Sequence, residues 1–205
     1  MKKSIIAATL LIFGTISIVS CKKGENDPAL SLKSRNARIA GTWKFIGGER
    51  QTIDYDAGNQ ETFTNNITYN GTSYTEITSF QDVSGTTSFP PQTVSYTLEY
   101  TFDKDGNFDM SEIEDGNSDI EKGFWYWGGK SKVQELKKKE VLVITITESN
   151  DGQIDIYSGT AITADGSFQL DRLTGKEMTI ILDMHNIYSN GDTYSHTATL
   201  NFEKQ

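Results

Sequence analysis

The sequence predicts an all-β protein, an antiparallel up-and-down (meander) β-barrel of about eight strands that carries a polar hairpin insert. Two observations lead to this prediction: apolar and polar residues alternate in several short segments, and turn-forming dipeptides separate those segments. The chain of 205 residues has 18 glycines, only 3 prolines and a single cysteine. No segment of comparable length has the 3.6-residue period of an amphipathic helix, which leaves strands and turns as the main elements.

The alternating segments place their large side chains on one face. In Tyr96–Phe102 all four large residues fall at alternate positions, and segments 141–147, 178–182 and 194–203 have the same pattern. Because successive side chains of a strand point to opposite sides, each segment is predicted to be a strand with one buried face.

The turn signals recur between these segments. Asp-Gly and Asn-Gly pairs supply the positive φ angles that tight hairpins require. Consecutive hairpins form a meander, and closing the meander into a barrel removes the open edges that promote aggregation. The pairs are Asp105-Gly106, Asp115-Gly116, Asp151-Gly152, Asp165-Gly166 and Asn190-Gly191.

Residues 54–92 form a polar insert rich in threonine, serine, asparagine and glutamine. Segments Thr62–Tyr69 and Ser73–Phe80 predict a long hairpin with weak apolar patterning. Since the insert has too few apolar residues to fold as a domain, we expect it to project from the barrel or to form a flap.

The N-terminal residues have the pattern of a secretion signal. Lys2 and Lys3 precede an uncharged apolar run, Ile5–Val19, which is shorter than the roughly 20 residues of a membrane-spanning helix. The run ends at Ser20-Cys21, and Ile18-Val19-Ser20-Cys21 resembles the lipobox of bacterial lipoproteins. This resemblance implies cleavage before Cys21 and attachment of acyl chains, such as palmitate, to its thiol. The alternative is an ordinary secretory signal followed by an incidental cysteine.

The expected organisation has three parts. Residues 1–20 are the lipoprotein signal peptide, residues 21–38 are the lipidated cysteine and a flexible tether, and residues 39–205 are the β-barrel domain. One helical turn is expected between Leu30 and Ala40, packed under the barrel. The predicted partner is a membrane, reached through the lipid on Cys21, and the resemblance implies the cell envelope, at the outer membrane. The sequence does not indicate which leaflet of the membrane holds the lipid.

Net charge excludes two classes of partner. Residues 1–20 hold two of the 19 basic residues and none of the 28 acidic ones, so their removal changes the formal charge from −9 to −11. Nucleic-acid binding and peripheral binding to anionic lipid both require clusters of lysine and arginine. The acidic balance argues against both functions.

The order of several motifs resembles the lipocalins and their calycin relatives, in particular the lipocalin-like lipoproteins of Bacteroidetes. The resemblance begins with a Gly-x-Trp motif, Gly41 and Trp43, at the first strand. It implies an eight-stranded barrel in which Trp43 closes one end, Lys204 on the last strand packs on that tryptophan, and a cup holds an apolar or amphipathic ligand. The later motifs are Gly123-x-Trp125-x-Trp127, Glu140–Ile144, Phe168-x-Leu170-x-x-Leu173, Glu177–Ile180 and Asn201–Lys204.

The inward faces of the predicted strands give a candidate cup. Two interpretations are open: these residues line a ligand cavity, or they fill a packed core, and a lone inward histidine is more often a hydrogen-bonded core residue than a ligand or base. The candidates are Tyr96, Leu98, Trp125, Trp127, Ile144, Ile180, Tyr194 and His196.

The alternative function is a non-enzymatic interaction module that binds protein or glycan at the envelope. In that hypothesis the barrel is a packed scaffold, and the contacts come from the 54–92 insert or from Phe124 and Tyr126. These two aromatic residues are predicted to face outward if Trp125 and Trp127 face inward.

The sequence contains no catalytic constellation and no recognisable metal-ligand spacing. We therefore predict a protein that is not an enzyme, with no cofactor and no metal. His185 lies beside acidic and amide residues, but a metal site needs further converging ligands. An enzymatic alternative would require His196 and carboxylates to converge in one pocket. Asp103–Asn107 resembles the start of a calcium loop, but its flanking strands favour a hairpin turn.

Overall fold

A computed structural model describes residues 27, 33–129, 141–150 and 167–205 of the chain. They form one helix, α1 (Arg35–Ile39), and eleven strands, and no described helix has the length and apolar character needed to cross a membrane. The predicted all-β class is confirmed. The strands are β1 (Gly41–Asp56), β2 (Glu61–Tyr69), β3 (Ser73–Asp82), β4 (Gly85–Ser88), β5 (Gln92–Phe102), β6 (Asn107–Glu114), β7 (Asn117–Trp127), β8 (Val141–Ser149), β9 (Ser167–Leu173), β10 (Glu177–Ile187) and β11 (Thr193–Lys204).

The strands close into an antiparallel barrel. β1 pairs with β11 from Trp43↔Lys204 to Tyr55↔Thr193, which joins the first strand to the last. At the end of the barrel near Trp43, here the closed end, β1 also pairs with β5, so eight strands complete the circle. At the opposite end, here called the open end of the described barrel, β2 and β3 lie between β1 and β5. With these two strands the barrel has ten strands in all, and β4 is an extra strand on β3.

The polar insert is part of this wall. Its predicted hairpin is present as β2 and β3, and β2 pairs with β1 from Gly48 to Asp56. β3 pairs with β5 from Ser73 to Glu76, so only the distal half of β3 extends with β4 beyond the barrel circle. The insert thus differs from the projecting flap expected from its composition. Pairing on both sides satisfies its backbone groups, so these strands need little apolar surface.

Three of the predicted turns are confirmed by positive φ angles. Gly106, Gly116 and Gly191 have φ of 99°, 82° and 93°. In the first of these hairpins a carboxylate oxygen of Asp103 accepts hydrogen bonds from the backbone N–H groups of Asp105 and Asn107. The pairs 151–152 and 165–166 lie outside the described residues.

The first strand bends sharply near its middle. Its register with β11 shifts between Phe45 and Gly47, and Gly47 has a φ of 145°. At Gly48 a Cβ atom would lie 2.2 Å from the carbonyl oxygen of Thr199. The close approach of β1 and β11 therefore requires glycine, and beyond this bend β1 leaves β5 and pairs with β2.

Helix α1 covers the closed end, which confirms the helical turn expected between Leu30 and Ala40. Its N-cap Ser34 accepts a hydrogen bond from Ala37 N, and Ile39 is completely buried. Trp43 is also fully buried and donates from Nε1 to Ile39 O at 2.6 Å. Tryptophan and helix thus close the barrel together.

Lys204 holds the last strand against the same cover. Its Nζ lies 5.1 Å from the centre of the Trp43 ring and donates to the carbonyl oxygens of Arg38, at 2.9 Å, and of Ala40. This is the basic residue that the lipocalin resemblance implied at the end of the last strand. Burial lowers the pKa of the Lys204 ammonium below its usual value.

A buried ion cluster fixes Asp27, which precedes α1 in the chain, to the barrel. Asp27 Oδ2 lies 3.1 Å from Arg35 Nε and 3.3 Å from Arg38 Nη2, and all three residues are almost completely buried. Asp27 Oδ1 accepts from the backbone N–H of Leu173 at 2.8 Å. Asp27 is therefore held at the closed end of the barrel, next to α1.

Candidate functional site

The lower half of the barrel, next to the closed end, is filled by side chains. Aromatic rings contact one another across it; Tyr100 and Phe202, for example, stack with centroids 5.0 Å apart. Such close packing leaves the lower half as a hydrophobic core. Its large buried members include Trp43, Phe45, Phe102, Phe108, Leu142, Leu170, Leu173, Met178, Ile180 and Phe202.

The upper half of the lumen, toward the open end, has a different lining. Directly paired residues point to the same side of the sheet, and on β1 and β11 the inward pair Arg50 and Ala198 is followed by Thr52 and His196. The same counting on the other strands places many polar side chains inward, where several are only half-buried. These are Arg50, Thr52, Asn65, Glu76, Glu112, Glu114, Asp119, Glu121 and His196.

Three tyrosines separate the two halves. Tyr69, Tyr74 and Tyr96 contact one another with ring centroids 5.2 to 5.7 Å apart, and Tyr69 also meets the core at Phe45. We call these three residues the tyrosine cluster. The Tyr74 hydroxyl donates to Glu114. The cluster is thus an aromatic floor whose hydroxyl groups reach the polar wall above it.

Burial perturbs the titration of this region. It raises the pKa of the Tyr96 hydroxyl far above the usual 10.0, with the charge of Glu112 acting in the same direction. Burial likewise raises the pKa of the Glu112 carboxyl, an effect that the hydrogen bond from Tyr96 opposes. Both groups therefore favour their neutral forms more than exposed groups do.

Two oxygen atoms on the inward face lack donors. Asn65 Nδ2 donates to Glu76 Oε1 at 2.6 Å, but Asn65 Oδ1 is buried and has no hydrogen-bond partner among the described residues. Asp119 Oδ1 is likewise buried and has no hydrogen-bond partner among the described residues. Buried acceptors in native proteins are normally satisfied by protein, water or ligand, so these atoms indicate where a donor is accommodated.

His196 is held in the wall of the upper lumen. Its Nδ1 lies 3.1 Å from Thr52 Oγ1, and its ring stacks on that of Tyr194 with centroids 6.4 Å apart. Burial, together with the nearby charge of Arg50, lowers the pKa of the imidazole. The neutral ring is therefore favoured, with one nitrogen bonded to Thr52.

The structure divides the predicted cup between the two halves. Tyr194 and His196 are half-buried members of the upper lumen, and Tyr96 belongs to the tyrosine cluster at the boundary. The remaining candidates, Leu98, Trp125, Trp127, Ile144 and Ile180, belong to the packed core or lie against it.

The two tryptophans of β7 face inward, while Phe124 and Tyr126 face outward and are 53% and 43% exposed. Trp125 Nε1 donates to Asp103 O at 3.0 Å, and Trp127 Nε1 donates to Asn36 Oδ1 at 2.9 Å. Both indole donors are thus used to fix neighbouring segments.

Sequence reasoning missed the polar members of the upper lumen. A signal was present in β6, where the inward series begins with Phe108 and Met110 and continues with Glu112 and Glu114. Only the closed barrel shows that these two glutamates share an interior with Arg50. In the described parts of the chain, no group of three or more histidine, cysteine or acidic residues is placed to hold a metal ion.

Comparisons with known proteins add little to this geometry. No protein-family model matches the chain, and no curated protein is significantly similar to it. Among solved structures, Rv2717c from M. tuberculosis is similar over 82% of this chain and 93% of its own, with 16% identity and a TM-score of 0.26. A likeness at that level carries no argument about function.

Proposed function

We propose that this chain is a lipid-anchored cell-envelope lipoprotein whose lipocalin-like barrel binds a small apolar or amphipathic ligand in its upper lumen. The observation that carries the proposal is the two-level interior, an aromatic floor beneath a half-buried polar wall. Small-molecule sites typically combine such an apolar surface with a few polar groups that orient the ligand.

The lining suggests how an amphipathic ligand would be oriented. Its apolar part would rest on the tyrosine cluster and on the inward Leu182 and Met184, which are half-buried. Its polar part would meet the wall, where Asn65 and Asp119 offer oxygen acceptors that no described residue supplies with a donor. Because the inward carboxylates outnumber the arginine, a neutral or cationic headgroup fits this wall better than an anionic one.

The anchor is proposed from the sequence, since Cys21 lies outside the described residues. Asp27 is held at the closed end, and the six residues from Cys21 to Asp27 span at most about 20 Å. A lipid on Cys21 would therefore keep the closed end near the membrane, with the open end facing away from it.

Native mass spectrometry of the full chain purified from its own host tests the ligand proposal. His196→Trp places a large ring in the lumen, while Ser195→Trp places the same ring on the outer face of the same strand. We expect organic extraction to release one stoichiometric small molecule from the wild type and from Ser195→Trp, and none from His196→Trp. A wild type without a bound molecule, or equal amounts in all three proteins, would contradict the proposal.

Fractionation of the host tests the anchor separately. Cys21→Ala is expected to move the protein from the membrane fraction to the soluble fraction. Retention of the variant in the membrane would contradict lipid anchoring and leave the ligand proposal standing.

The exposed pair Phe124 and Tyr126 favours a second candidate function, an envelope module that binds protein or glycan through the outer face of β7. Deletion of residues 54–92 is an unsuitable test because it removes β2 and β3 from the wall. In Phe124→Ser/Tyr126→Ser, a partner that co-precipitates with the wild type should be lost while Ile113→Ser retains it. Equal recovery with both variants would argue against this function.

A further inference from the structure

A groove of about 460 Å³ lies across four neighbouring strands, β2, β1, β11 and β10, and its lining includes no residue of the described opposite wall. By register, eight of its twelve lining residues have outward side chains, so the groove is on the outer surface and is separate from the lumen. The outward eight are Glu49, Gln51, Asn66, Thr68, Ile181, Asp183, Thr197 and Thr199.

The bend in β1 explains why the outer wall is concave here. Gly48 brings β1 against the Thr199 carbonyl, and the groove begins at the next residue, Glu49. Beyond the bend β2 and β3 enter the wall between β1 and β5, which widens it. A barrel that widens along its axis curves outward toward its mouth, which leaves a hollow on the outer face at the bend.

The groove offers both hydrogen-bond donors and hydrogen-bond acceptors. Gln51 Nε2 donates to Asn66 Oδ1 at 2.8 Å, a bond that leaves the Gln51 carbonyl oxygen and the Asn66 amino group for a ligand. Three threonine hydroxyls, each both donor and acceptor, lie beside this amide pair. Adjacent donors and acceptors of this kind match sugar hydroxyls, which also donate and accept.

The same lining disfavours other ligands. Among the described residues, no lysine lines the groove and the one arginine in its lining, Arg50, is inward by register. The charge of Arg50 acts inside the barrel, where it lowers the pKa of His196, so an anion in the groove would meet no outward cation of the described lining. Ile181 is the one large apolar side chain among the outward eight, which is too little for a lipid chain. At the centre, β1 and β11 are paired on both sides, so a peptide cannot add as a strand.

We propose that this outer groove binds a neutral glycan segment, with the Gln51–Asn66 amide pair and the threonine hydroxyls as its hydrogen-bonding groups. Its volume is within the range of about 300 to 1,000 Å³ that is usual for small-molecule sites. Glycan binding in the groove does not depend on ligand binding in the lumen, because the two sites lie on opposite faces of the wall.

Calorimetric titration of the full chain, in a detergent without a sugar headgroup, tests the proposal. The probes are the neutral oligosaccharides maltohexaose, cellohexaose, xylohexaose and chitohexaose, with hexagalacturonate as an anionic probe. The test variant is Gln51→Ala/Asn66→Ala, and the matched control is Glu99→Ala/Ser111→Ala, an outward pair on β5 and β6. Thr197→Arg, which fills the groove, is a second test variant.

We expect at least one neutral oligosaccharide to bind the wild type and the control equally. Affinity should fall about tenfold in Gln51→Ala/Asn66→Ala, as expected for the loss of two hydrogen-bonding groups. Thr197→Arg, whose side chain fills the groove, should abolish binding. The proposal is overturned if no neutral probe binds, or if hexagalacturonate binds more tightly than every neutral probe. It is also overturned if both test variants keep the wild-type affinity while their circular dichroism is unchanged.

Discussion

Replacement of Trp43 by alanine should remove much of the stability of the barrel. The side chain is fully buried between the core and α1, and its indole N–H donates to Ile39 O. Burying a tryptophan removes up to about 250 Å² from water, which at about 25 cal/mol per Å² corresponds to ~6 kcal/mol. Measured aromatic-to-alanine changes in cores usually cost about 3 to 5 kcal/mol because the site relaxes in part. We expect a loss of about 4 kcal/mol for Trp43→Ala.

Urea unfolding followed by far-ultraviolet circular dichroism measures this loss, since the substitution removes a fluorophore. Trp43→Phe keeps a ring but loses the hydrogen bond to Ile39, so it should cost less than the alanine variant, about 1 to 3 kcal/mol. Tyr126→Ala removes an aromatic ring that is 43% exposed on the outer wall, and its cost should stay below about 1 kcal/mol.

The order of these three variants is the decisive result. If Trp43→Ala costs no more than Tyr126→Ala, then Trp43 does not close the barrel in the way its contacts indicate. If Trp43→Phe is as damaging as Trp43→Ala, the hydrogen bond to Ile39, and not the buried ring, is the main contribution.

Three further predictions follow from the interior. Burial raises the pKa of Tyr69, Tyr96 and Tyr100 above the usual tyrosine value of 10.0. The unfolded chain therefore ionises first, and the stability present below about pH 10 should fall as the pH rises above it. Urea midpoints at pH 8 and at about pH 10.5 measure this fall, and Tyr100→Phe should reduce it; equal midpoints in the wild type would refute the reasoning. Gly123→Ala should cost about 2 kcal/mol or more, because its Cβ would lie 1.8 Å from a carbonyl oxygen of β8, whereas Gly129→Ala meets nothing within 4 Å and should cost little. Similar urea midpoints for these two variants would contradict that difference. A long-chain amine should displace the proposed lumen ligand at a lower concentration than a fatty acid of equal length, because carboxylates dominate the polar wall. Native mass spectrometry compares the two competitors, and stronger displacement by the fatty acid would show that the wall charge does not select the ligand.

Much of the barrel could be predicted from local patterns. Alternation in 96–102, 178–182 and 194–203 identified strands that the structure contains, because the side-chain period of a strand is visible in any half-buried segment. The Asp-Gly and Asn-Gly pairs at 105, 115 and 190 identified hairpins, since a positive φ is a local requirement.

The insert shows a limit of prediction from local sequence patterns. Residues 54–92 have little apolar alternation, yet β2 and β3 are paired on both sides within the wall. Their position depends on the bend of β1 at Gly47 and Gly48, which directs the upper half of β1 away from β5. A glycine pair in a sequence does not reveal which strand it separates from which.

For the candidate site, too, the sequence determined one part and the tertiary structure another. The sequence by itself determined which residues share a face of each strand, so it identified Tyr96, Ile180 and His196 as interior residues, while the inward face of Trp125 was decided by the structure. The tertiary structure alone decided that most of the predicted cup packs as core while the upper lumen is polar, and that Gln51 and Asn66 meet on the outer surface beside β11. The physical reason is that strand periodicity fixes the face of each side chain within its own strand, whereas the distance between faces depends on barrel closure and on the register between strands distant in sequence.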